Sequence, residues 1–152
     1  MYDHIGQIPA EAAAKFANKQ ALVFEEQVFS FNELYMLIEK VAGGLNKLGI
    51  EKGDTVTIYA VNSWQWIVSY FAIARLGAVI NPVNTMLTND EVEYVVNDCG
   101  SKVILVSAEK VADILNIPDK SKVQAIVSFG NGIDRLHSAF KFFNFFNTHH
   151  IF

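Results

Sequence analysis

The chain has 152 residues, of which 51% are hydrophobic and 18% are charged, and its formal net charge at pH 7 is -4. This length is enough to bury a substantial core in one domain, and the small share of charged residues argues against a disordered chain. Because a negatively charged protein has no general attraction for phosphate backbones, nucleic acid is not predicted as a partner.

The single cysteine and the N-terminal segment both bear on the cellular compartment. Cys99 has no second cysteine with which to form an internal disulfide, so the sequence predicts a small buried side chain in a reducing compartment. The N-terminus lacks the basic start and apolar core of a secretory signal peptide, which predicts a cytoplasmic protein. The longest apolar stretch, 64–83, is interrupted by polar and charged residues, so no membrane span is predicted.

The first elements are predicted to be a short helix and a β-hairpin. Residues 9–16 suit a helix, with Pro9 in its first turn and alanines in its interior. Residues 21–24 and 28–30 are short apolar runs on either side of a polar connection, which is the pattern of two antiparallel strands.

A capping box then predicts the start of a long helix over 31–48. The Ser30 hydroxyl can accept a hydrogen bond from the Glu33 amide while the Glu33 side chain reaches back to the backbone of Ser30. Gly49 is predicted to end this helix with a positive φ. The pair Gly43-Gly44 costs about 1 kcal/mol per residue relative to alanine in a helix, so close packing against a neighbour is predicted there.

Residues 55–84 are predicted to form one βαβ unit around which the fold is built. The pattern indicates a strand over 55–60, a helix over 63–76 that Asn62-Ser63 can cap, and a strand over 78–82. Two strands joined by such a helix run in the same direction, and the helix crosses over with a right hand.

The rest of the chain continues this alternation. A second capping box at Thr88–Glu91 predicts a helix over 89–98. Strands are predicted at 102–107 and 123–128, with a short helix at 108–115 between them. The fold class is therefore α/β, an open and mostly parallel sheet with helices on both faces, preceded by a short β-hairpin. Ile58, Ile73 and Ile104 are predicted to be buried.

The C-terminal tail, residues 131–152, departs from this pattern. Six of the twelve phenylalanines lie within its last thirteen residues. Two interpretations remain open: a membrane-surface helix, or a segment covered by residues that are not in this chain. In the isolated chain the tail is predicted to be exposed from Phe140 onward and to promote self-association. The adjacent His149 and His150 are predicted to be solvated, because no further ligand completes a metal site.

Ligands of open parallel sheets bind beyond the carboxyl ends of the strands. In this chain those ends are followed by Asn62-Ser63, Asn84-Thr85 and Ser107, and Asn62 and Asn84 are the candidate substrate-binding residues. A cap for Asn62-Ser63 and a loop hydrogen bond for Asn84 are the structural alternatives. Trp64 and Trp66 point in different directions on a helix, so core packing or a domain contact is predicted rather than one stacking platform.

The order and spacing of several short motifs resemble the N-terminal part of AMP-forming acyl-CoA synthetases of the adenylate-forming superfamily. The resemblance covers residues 10–130. The motifs are Ser30 followed by Glu33-Leu34, Leu48-Gly49-Ile50 followed by Gly53-Asp54, Asn62-Ser63, Leu76-Gly77-Ala78, Asn81-Pro82-Val83-Asn84, and a helix and strand that end at Ser107.

This resemblance implies an enzyme that joins a fatty acid or other carboxylate to CoA through an acyl-adenylate, with ATP, Mg and CoA as its cofactors. The family's Ser/Thr/Gly-rich phosphate loop, adenine-binding segment, ribose-binding Asp and C-terminal Lys have no counterparts here. Residues 1–152 are accordingly interpreted as the N-terminal subdomain of a partial, truncated adenylate-forming large domain. No catalytic, cofactor-binding or metal-binding residue is assigned to the chain.

Two hypotheses for the function follow. The first is an N-terminal fragment of an ATP-dependent, AMP-forming carboxylate–CoA ligase that is inactive alone because it lacks the adenylation motifs. The alternative is an assembly or binding module that a separate chain completes. An independent flavodoxin-like nucleotide binder would need a glycine-rich loop after a strand, and 61–63 is not such a loop.

Overall fold

The structure, a computed structural model, describes residues 4–129 and 141–143. Its helices are α1 (Ile8–Phe16), α2 (Phe31–Lys47), α3 (Trp64–Arg75), α4 (Asn89–Asp98) and α5 (Val111–Leu115). Its strands are β1 (Gln20–Phe24), β2 (Gln27–Ser30), β3 (Thr55–Tyr59), β4 (Val79–Pro82), β5 (Val103–Ser107), β6 (Ala125–Phe129) and β7 (Lys141–Phe143).

Five strands form one parallel sheet in the order β4-β3-β5-β6-β7. The central β3 pairs with β4 on one side and with β5 on the other, so the predicted βαβ unit is confirmed. Strand β7, which lies within the C-terminal tail and pairs with β6, was not predicted from the sequence. The other predictions for the tail, its exposure, self-association and solvated histidines, lie outside the described residues.

Helices cover both faces of this sheet, as the sequence predicts. On one face, Val56 and Ile58 of β3 share an apolar cluster with residues of α2 and α3. On the other face, Tyr59 and Ile104 share a second cluster with residues of α4 and α5. Alternate side chains of each strand therefore enter two separate cores, and the predicted burial of Ile58, Ile73 and Ile104 is confirmed.

The hairpin forms a separate two-stranded antiparallel sheet beside α2. Leu22, Phe24 and Phe29 pack against the same cluster as α2 and α3. Val23 and Val28 face one another across the two strands on the opposite, exposed side.

Both capping boxes are present. Ser30 Oγ accepts from Glu33 N at 3.2 Å, and Ser30 N donates to Glu33 Oε2 at 2.8 Å. Thr88 and Glu91 make the same pair of hydrogen bonds at the start of α4. Gly49 has a φ of +83°, so the predicted left-handed end of α2 is also confirmed.

Two packing predictions need correction. Gly43 faces open space, with no atom within 4 Å of an added Cβ, so only Gly44 of the pair is buried. Cys99 is half-buried rather than buried, because it follows α4 at the edge of the core and its Sγ accepts a hydrogen bond from Asn81 Nδ2 at 3.2 Å. Among the described residues, no helix has the length and apolar character that crossing a bilayer requires.

Candidate functional site at the carboxyl ends of two strands

An open cavity of about 490 Å³ lies where β3 and β4 end. It is lined by Ala60, Val61, Asn62, Trp66, Pro82, Val83, Asn84 and Thr85. Asn62 and Asn84, which are far apart in sequence, therefore meet at one site. The two parallel strands bring them together because their carboxyl ends lie at the same edge of the sheet.

Asn84 is held by a short turn after β4. The backbone N–H of Val83 donates to Ile58 O at 2.9 Å, which keeps the chain alongside β3 as it leaves the sheet. Asn84 Oδ1 then accepts from Met86 N at 2.9 Å, an Asx turn of the kind that asparagine favours. The predicted loop hydrogen bond of Asn84 is confirmed, and the exposed side chain also lines the cavity.

Asn62 and Ser63 have different roles, although the sequence predicts a helix cap at both positions. Ser63 is the N-cap of α3, and its Oγ accepts from Trp66 N at 3.2 Å. The assignment of Asn62 as a cap is wrong, because α3 begins at Trp64 and the residue directly before it supplies the cap. Asn62 is exposed and contributes to the cavity wall instead.

Trp66 is the cavity residue that sequence reasoning missed. Its ring stacks on Tyr70, one helical turn later, with the ring centroids 5.6 Å apart and an interplanar angle of 16°. Trp64 is buried and contacts Phe29 at a centroid distance of 5.2 Å. The two tryptophans do not form one platform, as predicted. The i, i+4 spacing of Trp66 and Tyr70 was the signal that could have marked an aromatic wall.

A buried polar network fixes β4 against β3 next to the cavity. Asn81 Nδ2 donates to Thr57 Oγ1 at 3.0 Å, and the Thr57 backbone N–H donates to Ser101 Oγ at 3.1 Å. Thr57 and Ser101 are fully buried, so these hydrogen bonds satisfy groups that water cannot reach. Pro82, which directly follows Asn81, is thereby held in position on the cavity lining.

Ser107, the third predicted strand end, does not line this cavity. It is buried, and its Oγ has no hydrogen-bond partner among the described residues. The neighbouring strand end on the α4–α5 face carries Tyr59, whose hydroxyl donates to Asp113 Oδ2 at 3.3 Å. Burial raises the pKa of Tyr59, so this phenol is a neutral hydrogen-bond donor in the folded protein.

The cavity lining carries no formal charge. Its surface combines apolar and aromatic side chains with two carboxamides, which suits an uncharged part of a ligand better than a polyphosphate. In residues 4–129, no group of three or more His, Cys, Asp or Glu side chains is placed to hold a metal ion. The lining of this cavity therefore has no cation that could neutralise a triphosphate.

Comparisons with known proteins place this geometry in a family. The family model that describes the AMP-binding enzymes matches residues 9–141 of the sequence. Acetyl-coenzyme A synthetase of Xylella fastidiosa is 36% identical over 115 residues, 71% of this chain and 18% of that enzyme. Long-chain-fatty-acid–CoA ligase of Salmonella typhimurium is 29% identical over 139 residues, 91% of this chain and 25% of the ligase.

A solved structure agrees with these sequence matches. The anthranilate CoA ligase AuaEII in complex with anthranoyl-AMP superposes with a TM-score of 0.81 and 28% identity, over 92% of this chain and 27% of the ligase. The chain thus spans about a quarter or less of the length of these relatives. It belongs to the AMP-binding enzymes and corresponds to the N-terminal part of their adenylate-forming fold.

Proposed function

We propose that residues 1–152 are the N-terminal subdomain of an ATP-dependent, AMP-forming carboxylate–CoA ligase. Residues 10–130 form the body of this subdomain, and 131–152 are its C-terminal tail. The uncharged cavity at the ends of β3 and β4 is the observation that carries the proposal. It supplies one wall of the pocket for the acyl part of a fatty acid or other carboxylate.

The cavity wall can contact the acyl substrate, whereas the activation of its carboxylate depends on other groups. Adenylation needs the carboxylate in line with the α-phosphate of ATP, and positive groups that stabilise the departing pyrophosphate. ATP and Mg supply the activating group and the charge neutralisation, and CoA supplies the thiol that accepts the acyl group. Trp66 and Val61 offer apolar surface to the acyl chain, and Asn62 and Asn84 offer carboxamides to its polar end.

The subdomain is expected to be inactive by itself. Because the lining holds no cation, the groups that bind the triphosphate have to come from the remaining length of the enzyme. That remainder could follow on the same polypeptide or belong to a separate chain. The second arrangement is the assembly-module alternative.

The proposal is tested in an extended chain, defined as this chain fused after Phe152 to the part of the S. typhimurium ligase beyond its aligned 139 residues. Fatty-acid-dependent exchange of pyrophosphate into ATP is measured. Trp66→Ala is expected to lower kcat/KM by about tenfold or more, since removing an aromatic pocket wall costs at least about 1.4 kcal/mol of binding.

Tyr94→Ala is the matched control, because Tyr94 is an exposed aromatic residue on α4 that does not line the cavity. It should leave kcat/KM within about twofold, as surface substitutions usually do. Equal effects of the two variants, or no effect of Trp66→Ala in an active extended chain, would show that the cavity takes no part in substrate binding.

A further inference from the structure

A second cavity lies beside the first, between α3 and the edge strand β4 of the described sheet. It has a volume of about 460 Å³, and its lining includes Tyr70 and Ala74 of α3 and Ile80 of β4. Pro82 lines both cavities, so the two cavities meet at this residue. The site at the strand ends therefore continues along the edge of the sheet.

The walls of the two cavities come from one stripe of a helix and one stripe of a strand. The helix contributes residues spaced four apart, which share one face of α3: Trp66, Tyr70 and Ala74. The strand side contributes alternate residues along and just before β4, which share one face of the sheet: Ala78, Ile80 and Pro82. The two stripes run side by side and form one channel, called here the α3–β4 groove.

The aromatic wall of the α3–β4 groove is held in place by its own contacts. Trp66 stacks on Tyr70, and the Tyr70 ring meets Phe71 edge-on, with a centroid distance of 5.6 Å and an interplanar angle of 82°. A wall that is already ordered lowers the entropic cost of binding. Neither cavity is lined by Asp, Glu, Lys or Arg, so the groove suits an elongated, uncharged apolar ligand.

The length of the groove indicates which ligand fits it. Trp66 and Ala74 are separated by about 12 Å along the helix axis, at about 1.5 Å per residue. Ala78 and Asn84 are separated by up to about 20 Å, at about 3.3 Å per residue of extended chain. An extended chain advances about 1.2 Å per bond, so these distances correspond to about 10 to 16 bonds.

We propose that the α3–β4 groove binds the unbranched alkyl chain of a carboxylate of about ten carbons or more. The carboxylate lies at Asn62 and Asn84, and the chain passes Pro82 toward Ala78. Carboxylates of about six carbons or fewer occupy the strand-end cavity alone. This inference rests on the proposed function, because it extends the acyl cavity of that proposal and names the class of its substrate.

Binding is measured in the 152-residue chain by tryptophan fluorescence, to which Trp66 in the cavity lining contributes. Hexanoate, decanoate and dodecanoate are titrated below the concentrations at which they form micelles. A fully buried methylene strengthens binding by about fourfold, so a half-covered one should do so by about twofold. The affinity is expected to rise by about tenfold or more from hexanoate to decanoate. An affinity that does not change with chain length would overturn the proposal.

Ala78→Phe places a ring in the far half of the groove and leaves the strand-end cavity open. Decanoate should then bind about as weakly as hexanoate, whose own affinity should stay within about twofold. Val79→Phe is the matched control, because Val79 is the next residue, is 51% exposed and lines neither cavity. Equal effects of the two variants on decanoate would show that the chain binds elsewhere, against the proposal.

Tyr70→Ala tests the same groove from the helix side, in case the Ala78 variant does not fold. It should weaken decanoate binding by about fivefold or more and change hexanoate binding by less than about twofold, because Tyr70 lines only the second cavity. Tyr94→Ala, which lies outside both linings, is its control. A Tyr70 variant that binds decanoate as well as the control does would contradict the proposal.

The groove and the ligase function fail separately. An extended chain that exchanges pyrophosphate with decanoate equally well with and without Ala78→Phe contradicts the groove and supports the function. Length-dependent binding that Ala78→Phe removes, together with an extended chain that shows no carboxylate-dependent exchange, supports the groove and contradicts the function.

Discussion

The five-stranded sheet and the hairpin use the same residue types in opposite ways. Every residue of β5, from Val103 to Ser107, is buried, whereas Val23 and Val28 of the hairpin are about half exposed. The sheet is enclosed by its own helices on both faces, whereas among the described residues the hairpin packs on one face alone, against the cluster that contains residues of α2 and α3. The difference shows that burial of a strand valine depends on helices covering its face of the sheet, and among the described residues the outer face of the hairpin is not covered in this way.

The largest expected effect on the free energy of unfolding is that of truncating a buried side chain of the large sheet. Ile58→Ala removes a fully buried side chain from β3 and should lower the free energy of unfolding by about 2–5 kcal/mol, through lost burial and the cavity left behind. Val23→Ala on the hairpin should change it by less than about 1 kcal/mol. Urea unfolding of both variants measures the difference. Similar losses at the two positions would show that the two regions are equally enclosed.

Strands β3 to β6 of the large sheet and the helices that cover it were predictable because their signals are local, whereas β7 was not predicted. Runs of β-branched residues indicated β3 and β5, and the two capping boxes gave the starts of α2 and α4. The strand predicted over 123–128 is observed at Ala125–Phe129, because Val123 N donates to Lys120 O in a preceding turn. A turn of this kind is not distinguishable from the start of a strand when the residues are Val and Gln.

The features that were not predicted from the sequence, the hydrogen bonds of Asn81 and the aromatic wall of the cavity, depend on where separate elements meet. The hydrogen bond of Asn81 to Thr57 follows from the register of β3 and β4, and its hydrogen bond to Cys99 depends on where α4 ends relative to β4, neither of which a single segment specifies. Asn62 and Trp66 line the cavity because of the point at which α3 begins relative to the end of β4. The position of the site, at the carboxyl ends of parallel strands, was predictable, but its aromatic wall was not.

A smaller effect on stability is expected at α2, the helix that joins the hairpin to the sheet. Gly49 ends this helix with a φ of +83°, so Gly49→Ala forces a side chain into the left-handed region and should cost about 1–2 kcal/mol. Gly43→Ala is the matched control, because Gly43 lies within the same helix and faces open space. That change should stabilise the protein by about 0.5–1 kcal/mol, since alanine is the better helix former. Thermal unfolding with effects of the same sign would contradict this account.

The smallest expected effect lies at the other end of α2 and depends on pH. Hydrogen bonds from Ser30, first from its backbone N–H and then from its hydroxyl, lower the pKa of Glu33 below its ordinary value. A carboxyl group with a lowered pKa in the folded state stabilises the protein above the pKa of the unfolded chain, about 4.3, and loses that contribution as the pH falls through the folded value.

Glu33→Gln should therefore flatten the decrease in stability below about pH 4.5 while keeping most of the stability at pH 7, because glutamine also serves in a capping box. Glu26→Gln, an exposed change in the hairpin turn, is the control. The unfolding midpoint is measured from pH 3 to pH 7. If Glu33→Gln keeps the full acid dependence of the wild-type chain, the carboxylate does not stabilise the start of α2.

The assignment of this subdomain to a carboxylate–CoA ligase is tested most directly by carboxylate-dependent exchange of pyrophosphate into ATP. The purified 152-residue chain is compared with the extended chain. The isolated chain should show no exchange above background, because no cation of the cavity lining stabilises the departing pyrophosphate. The extended chain should show exchange that requires the fatty acid. Exchange by the isolated chain that a cavity substitution abolishes, or a folded extended chain that remains inactive, would contradict the assignment of this subdomain as one wall of a carboxylate–CoA ligase.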